Sequence, residues 1–89
     1  RAFRAYPNPF NAETTIHYEL NKESSITLEV YNSRGQKVRC LVQSSRPAGS
    51  YNAIWDGRDD NQRLCASGVY RIVMVRDGFR SAKKVVLLQ

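Results

Sequence analysis

Few residues in this 89-residue chain could do chemistry: the single histidine His17, the two cysteines Cys40 and Cys65, and the carboxylates Glu19, Glu29, Asp56, Asp59 and Asp60. A hydrolytic triad needs a base within reach of a nucleophile and a third group to orient that base. His17 alternates with Thr15 and Glu19 and so belongs to the outward face of a strand, while Ser67 and Ser81 lie far along the chain with no base of their own. Glu19 and Glu29 are expected as cross-strand neighbours on outward faces, where nothing excludes water or raises a carboxyl pKa. Paired-carboxylate hydrolysis is therefore not expected.

The densest set of oxygen ligands is Asp56-Gly57-Arg58-Asp59-Asp60-Asn61-Gln62. Calcium loops alternate their acidic residues and end on a glutamate, whereas this segment does neither and carries Arg58 in its middle. It reads as a hydrogen-bonded turn. With one histidine far along the chain from both cysteines, no metal set assembles. Cys40 and Cys65 read as two buried free thiols, with a disulfide as the alternative if the domain is exported. The glycines Gly35, Gly49, Gly57, Gly68 and Gly78 are isolated, so no phosphate-cradling loop is present. The expectation is a chain without catalytic residues, metal or cofactor.

The elements that must carry these residues are strands. Thr14 to Leu20 places Ile16, Tyr18 and Leu20 on one face, and Ser25 to Tyr31 repeats the pattern with Ile26, Leu28 and Val30. This period of two is the signature of half-buried strands, and the polar turn Asn21–Ser24 between them predicts an antiparallel hairpin. Asn32-Ser33-Arg34-Gly35 is a further turn into a strand over Gln36–Val42, with Val38, Cys40 and Val42 or Leu41 inward. Gln43–Ser50 reads as a loop, Tyr51–Trp55 as a strand, Val69–Val75 as a strongly apolar strand, and Asp77-Gly78 as the turn into a last strand over Arg80–Leu88. The count is six or seven strands and no helix, which predicts one all-β antiparallel sandwich over 1–89, with 1–12 as a proline-rich lead-in and 13–89 as the sandwich. The expected core residues are Tyr18, Leu28, Val30, Trp55, Tyr70, Ile72 and Met74.

The Tyr6-Pro7-Asn8-Pro9-Phe10 segment cannot be helical, because each proline fixes its own φ and biases the preceding residue to extended conformations. It is expected to run stiff and extended, anchored by Tyr6 and Phe10. At the other end, Lys83 and Lys84 precede the apolar run Val85–Leu88. That segment reads either as an edge strand with protective charges or as a strand a partner captures by strand addition.

Fourteen Lys and Arg against eight Asp and Glu give a net charge of +6, which favours anionic partners. The aromatics are not interleaved with the basic residues, so a nucleic-acid surface is not expected. No apolar run approaches the roughly 18 residues needed to span a bilayer as a helix. The opening Arg1-Ala2-Phe3-Arg4 lacks an initiator methionine and a leader pattern, so the expectation is a piece of a longer polypeptide with any export signal upstream.

The ordered motifs Tyr6-Pro7-Asn8-Pro9-Phe10-Asn11, Val30-Tyr31-Asn32 with Gly35-Gln36-Lys37-Val38, Ala48-Gly49 with Tyr51, Trp55-Asp56-Gly57, Ala66-Ser67-Gly68-Val69-Tyr70 and Lys83-Lys84-Val85-Val86-Leu87-Leu88 span nearly the whole chain. Together they resemble the C-terminal sorting domains of the type IX secretion system, and equally the immunoglobulin-like domain of the flagellar hook-capping protein. The resemblance implies a seven-stranded immunoglobulin-like sandwich that directs an upstream cargo across the bacterial outer membrane. It also implies partners in the secretion machinery, a sortase-like peptidase that removes the domain, and anionic lipopolysaccharide to which the cargo is attached at the cell surface. Carried over position by position, its recognition residues are Pro7, Asn8, Pro9, Gly68, Val69, Tyr70, Lys83, Lys84, Val85, Val86, Leu87 and Leu88. Cys40 and Cys65 depart from the pattern, which more often has a small polar and an aliphatic residue there. The competing expectations are a structural spacer or self-associating module with the same core, and a carbohydrate-binding module that would use Tyr31 and Phe79. The sorting expectation places the natural stop just after Gln89, whereas a spacer would continue into another domain.

Overall fold

Alternation in the sequence becomes two facing sheets, whose inner faces are close to wholly apolar. The computed structural model describes residues 3–89. Its strands are β1 (Phe3–Tyr6), β2 (Thr14–Leu20), β3 (Ser24–Asn32), β4 (Lys37–Arg46), β5 (Gly49–Trp55), β6 (Gly68–Arg76) and β7 (Phe79–Leu87). One sheet has the order β1-β2-β5 and the other β4-β3-β6-β7, all neighbours antiparallel. This is an immunoglobulin-like sandwich. No helix of the described residues is long and apolar enough to cross a membrane.

The core lies between the sheets. Ile16, Tyr18 and Leu20 of β2 face Ile26, Leu28 and Val30 of β3, and Trp55, Tyr70, Ile72, Met74, Val85 and Leu87 complete the interior, all buried. Tyr18, Leu28, Val30, Trp55, Tyr70, Ile72 and Met74 are thus all interior. Trp55 is central: its ring stands 5.5 Å from Phe10 and 5.1 Å from Tyr70, centroid to centroid. Its Nε1 donates to the Arg58 carbonyl at 2.9 Å, which satisfies the one polar atom of a fully buried indole.

Four details differ from the sequence expectation. β2 and β3 do not form a hairpin, because the chain crosses from one sheet to the other at Asn21–Glu23 and the two strands pack face to face. Alternation identifies a buried face but not the neighbour in the hydrogen-bonding direction, and these two strands share a core rather than a ladder. Glu19 and Glu29 consequently lie on different sheets and are not cross-strand neighbours.

The expected loop over Gln43–Ser50 is mostly strand, because β4 runs on to Arg46 and β5 begins at Gly49. Its serines sit on an exposed stretch where polar side chains cost a ladder nothing. Two register shifts in the β3–β4 pairing pass over Leu41 and Val38, and both pack against the core. A bulge of this kind explains why strict alternation could not choose between Leu41 and Val42.

The lead-in is a strand only as far as Tyr6, then bends through Pro7, Asn8 and Pro9. Phe10, at 2% exposure, is its anchor, whereas Tyr6 is 44% exposed and lies under the Arg4 guanidinium. Finally, Cys40 and Cys65 are half-buried free thiols rather than fully buried ones.

Candidate functional site

The segments Pro7–Pro9, Gly68–Tyr70 and Lys83–Leu88, far apart in sequence, meet on one edge of the four-stranded sheet. β6 and β7 pair throughout, with Gly68 opposite Leu87, Val69 opposite Val86 and Tyr70 opposite Val85. The two-residue turn Asp77-Gly78 that joins them has positive φ at both positions, 50° and 87°, the geometry that matches the twist of a tight hairpin.

On its other side β7 is covered by the lead-in. The Asn8 side chain donates from Nδ2 to the Lys84 carbonyl at 2.9 Å and accepts the Val86 N–H at Oδ1 at 3.0 Å. Two residues on, the Phe10 N–H donates to the Val86 carbonyl at 2.9 Å and the Phe10 carbonyl accepts the Leu88 N–H at 2.8 Å. Pro7 and Pro9 lack an N–H and cannot donate to such a ladder, so Asn8 reaches it with its side-chain amide. The bend itself is tied down by Thr14, whose Oγ1 donates to the Pro7 carbonyl at 2.9 Å. Beyond Leu88, the Gln89 N–H donates to Ser67 Oγ at 2.8 Å and Gln89 Nε2 to the Cys65 carbonyl at 3.3 Å.

The residues assigned to recognition by resemblance divide into two sets. Tyr70, Val85 and Leu87 are buried and serve the core, and the Tyr70 hydroxyl donates to the Ala66 carbonyl at 2.6 Å. Pro7, Asn8, Pro9, Val69, Lys83, Lys84 and Leu88 are exposed, and Gly68 and Val86 are half-buried. The exposed set is basic: Lys84 stands opposite Arg71, both exposed, with neither in an ion pair among the described residues. Like charges directly opposite on a sheet are unfavourable, so this pair does not contribute to the stability of the β6–β7 ladder.

Sequence reasoning missed Thr14, Ser67 and Gln89, whose roles depend on contacts made only in the folded chain. An asparagine flanked by two prolines is the available signal for Asn8, since its side-chain amide offers a donor and an acceptor where neither neighbour has an N–H.

Next to this edge, the Asp56–Cys65 segment is held by its own carboxylates. Arg39 Nη1 bonds Asp56 Oδ1 and the Arg58 carbonyl, each at 2.9 Å, and Asp60 Oδ1 accepts the Cys40 N–H at 3.1 Å. Asp59 Oδ1 accepts the N–H groups of Asn61 and Arg63 at 2.9 and 3.0 Å, and these bonds to its ionised form hold its carboxyl below the usual range. The Cys65 thiol is pushed up by burial, and then by the Asp59 carboxylate. Among the described residues no group of three or more His, Cys, Asp or Glu could hold a metal ion. His17 lies on the outer face of the other sheet, bonded to Asn52 Oδ1 at 2.9 Å and near Glu19 Oε2 at 3.4 Å.

The sequence pattern of the FlgD Ig-like domain matches residues 8–78, the greater part of the chain. The chain belongs to the FlgD Ig-like domain family. Its fold is similar to that of FlgD from P. aeruginosa, with a TM-score of 0.63 and 24% identity over 84% of this chain and 60% of that one. It is also similar to part of the dimeric latent PorU of Porphyromonas gingivalis, with a TM-score of 0.75 and 17% identity, covering 97% of this chain and 9% of that one. A third likeness is to PorZ, an essential surface component of the type IX secretion system of the same organism, with a TM-score of 0.63 and 18% identity over 98% of this chain and 11% of that one. This member of the FlgD Ig-like family thus spans about a tenth of the length of PorU or PorZ. No curated protein sequence matches it.

Proposed function

We propose that this FlgD Ig-like domain is a non-catalytic C-terminal sorting and anchoring domain that directs a fused cargo across the bacterial outer membrane to the cell surface. The observation that carries the reading is the convergence of Pro7–Pro9, Gly68–Tyr70 and Lys83–Leu88 on one sheet edge, with an unbalanced basic face beside it. The likeness of the fold to parts of PorU and PorZ supports the same reading. Partners in this reading are the secretion machinery, a sortase-like peptidase that releases the domain, and anionic lipopolysaccharide that receives the cargo. The exposed Arg71, Lys83 and Lys84 suit a negatively charged surface.

Deleting Lys83–Gln89 would remove Val85 and Leu87 from the core, so loss of export on deletion would report unfolding as readily as loss of recognition. The test is therefore a reporter fusion in a host with the type IX system, carrying Lys83→Ala, Lys84→Ala and Leu88→Ser together. All three side chains are exposed, and the fold is checked by its thermal transition. The expected result is a folded reporter retained in the cell, and normal export would overturn the proposal. A structural Ig-like module of an extracellular assembly is the second reading, favoured by the similarity to FlgD across 84% of the chain. It expects export to be indifferent to these substitutions.

A further inference from the structure

The hydrogen bonds of the lead-in reach only the second half of the β7 edge, where Asn8 and Phe10 bond it, while β1 packs beside β7 without pairing with it. In an antiparallel pair, alternate residues turn their N–H and C=O groups toward the partner strand and away from it. Lys84, Val86 and Leu88 use groups directed away from β6 to bond Asn8 and Phe10, so by the same alternation Arg80 and Ala82 also direct theirs outward. β7 pairs only with β6 in its sheet, and among the described residues neither Arg80 nor Ala82 has a backbone partner on that side. The strand from Phe79 to Lys84 is exposed along its whole length, with Phe79 at 74%.

The side chains beside this open edge have a definite chemistry. Arg80 and Lys84 line it on the outer face, with Arg71 of β6 behind Lys84, and Ala82 between the first two leaves a gap floored by the buried Val73. Tyr31 closes the gap on the far side, with the Arg80 guanidinium 6.0 Å from its ring centroid. The nearby carboxylates are engaged: Glu29 accepts from Tyr31 at 3.1 Å and Lys37 at 3.5 Å, and Asp77 accepts the Ser25 N–H at 3.2 Å.

We infer that Arg80–Lys84 is a docking edge for an extended acidic segment of a partner protein, added as a strand beside β7. Such a segment has an apolar side chain over Ala82 and carboxylates two residues to either side, facing Arg80 and Lys84. A second copy of this chain does not fit. Antiparallel pairing of two β7 edges about Ala82 sets Arg80 against Lys84 and Ser81 against Lys83, with no carboxylate in the interface. This goes beyond the export reading and does not depend on it.

The test is a titration of the ¹⁵N-labelled domain with the blocked peptide Thr-Glu-Thr-Leu-Thr-Glu-Thr. A peptide with lysine in place of glutamate serves as control. The expected result is saturable amide shifts centred on Arg80, Ala82 and Lys84, slowed hydrogen exchange at Ala82, and at least tenfold weaker binding of the control. Ala82→Pro removes the outward N–H without touching the β6 ladder, a position where edge strands tolerate proline, and should weaken binding at least tenfold. If that variant fails to fold, slowed exchange at Ala82 in the unmodified domain decides the same point. No shift at millimolar peptide, equal binding of both peptides, or shifts that track protein concentration without peptide would each overturn the proposal, the last in favour of a second copy.

Discussion

Asn8 stands in for a strand against Val86. Its Oδ1 accepts the Val86 N–H while the same amide donates to the Lys84 carbonyl, so one side chain satisfies a donor and an acceptor that a neighbouring backbone would otherwise take. Asn8→Ala removes both bonds from an exposed edge and is expected to cost ~1–2 kcal/mol. Asn8→Asp keeps the acceptor but sets a carboxylate oxygen against the Lys84 carbonyl, and is not expected to restore the loss. Urea denaturation measures both, and the Val86 amide should exchange faster in each variant.

Leu87 is fully buried, and Leu87→Ala is expected to cost roughly 2–5 kcal/mol. A chain of this size has on the order of 5–13 kcal/mol of stability in total. Removing Lys83–Gln89 takes Val85, Leu87 and the part of β7 that pairs with Gly68–Ile72 together. The shortened chain is expected to show no cooperative thermal transition, and a sharp one would contradict the packing described here.

Gly78 sits at φ 87°, where an added Cβ meets no atom within 4 Å. The cost of Gly78→Ala is therefore conformational alone, ~1–2 kcal/mol for a left-handed alanine. The hairpin register should survive, so the thermal midpoint falls while the pattern of β6–β7 amide protection is retained.

Stability should fall on both sides of neutral pH. Burial pushes up the Cys65 thiol and the Tyr18 and Tyr70 hydroxyls. The unfolded chain releases these protons first, from about pH 8.5 for the thiol and about pH 10 for the phenols. The stabilisation is complete below those values and is lost as pH rises through the higher folded-state values. Asp59 has the opposite sign: hydrogen bonds from Arg63 and Asn61 lower it, so its contribution is present above the ordinary carboxylate range and lost as pH falls through its folded value. Urea midpoints from pH 3 to 11 check both limbs, and a midpoint that climbs between pH 9 and 11 would refute the alkaline one.

Burial was legible in the sequence, and adjacency only where a tight turn fixes it, as Asp77-Gly78 does for β6 and β7. Trp55, Tyr70 and Ile72 announce themselves by type and alternation, and all three are interior. That β2 pairs with β1 and β5 rather than β3 has no local signal, because Ser24 and Leu20 alternate the same way whether their strands share a ladder or a core. Gln43–Arg46 looked like loop because its residues are polar, yet an exposed sheet margin asks for polarity. The link from Asn8 to Lys84 and Val86 joins positions 76 and 78 residues apart through a side chain, which no periodicity can reveal.

Those long spans have a consequence for synthesis. At ~5–20 residues per second, a ribosome needs roughly 4–16 s to travel from Phe10 to Leu88, and the lead-in has no strand to cover until it arrives. Trp55, Tyr70 and Phe10 cannot be sealed before then. The nascent domain therefore remains open to chaperones until its last residues emerge, and only then closes as a unit.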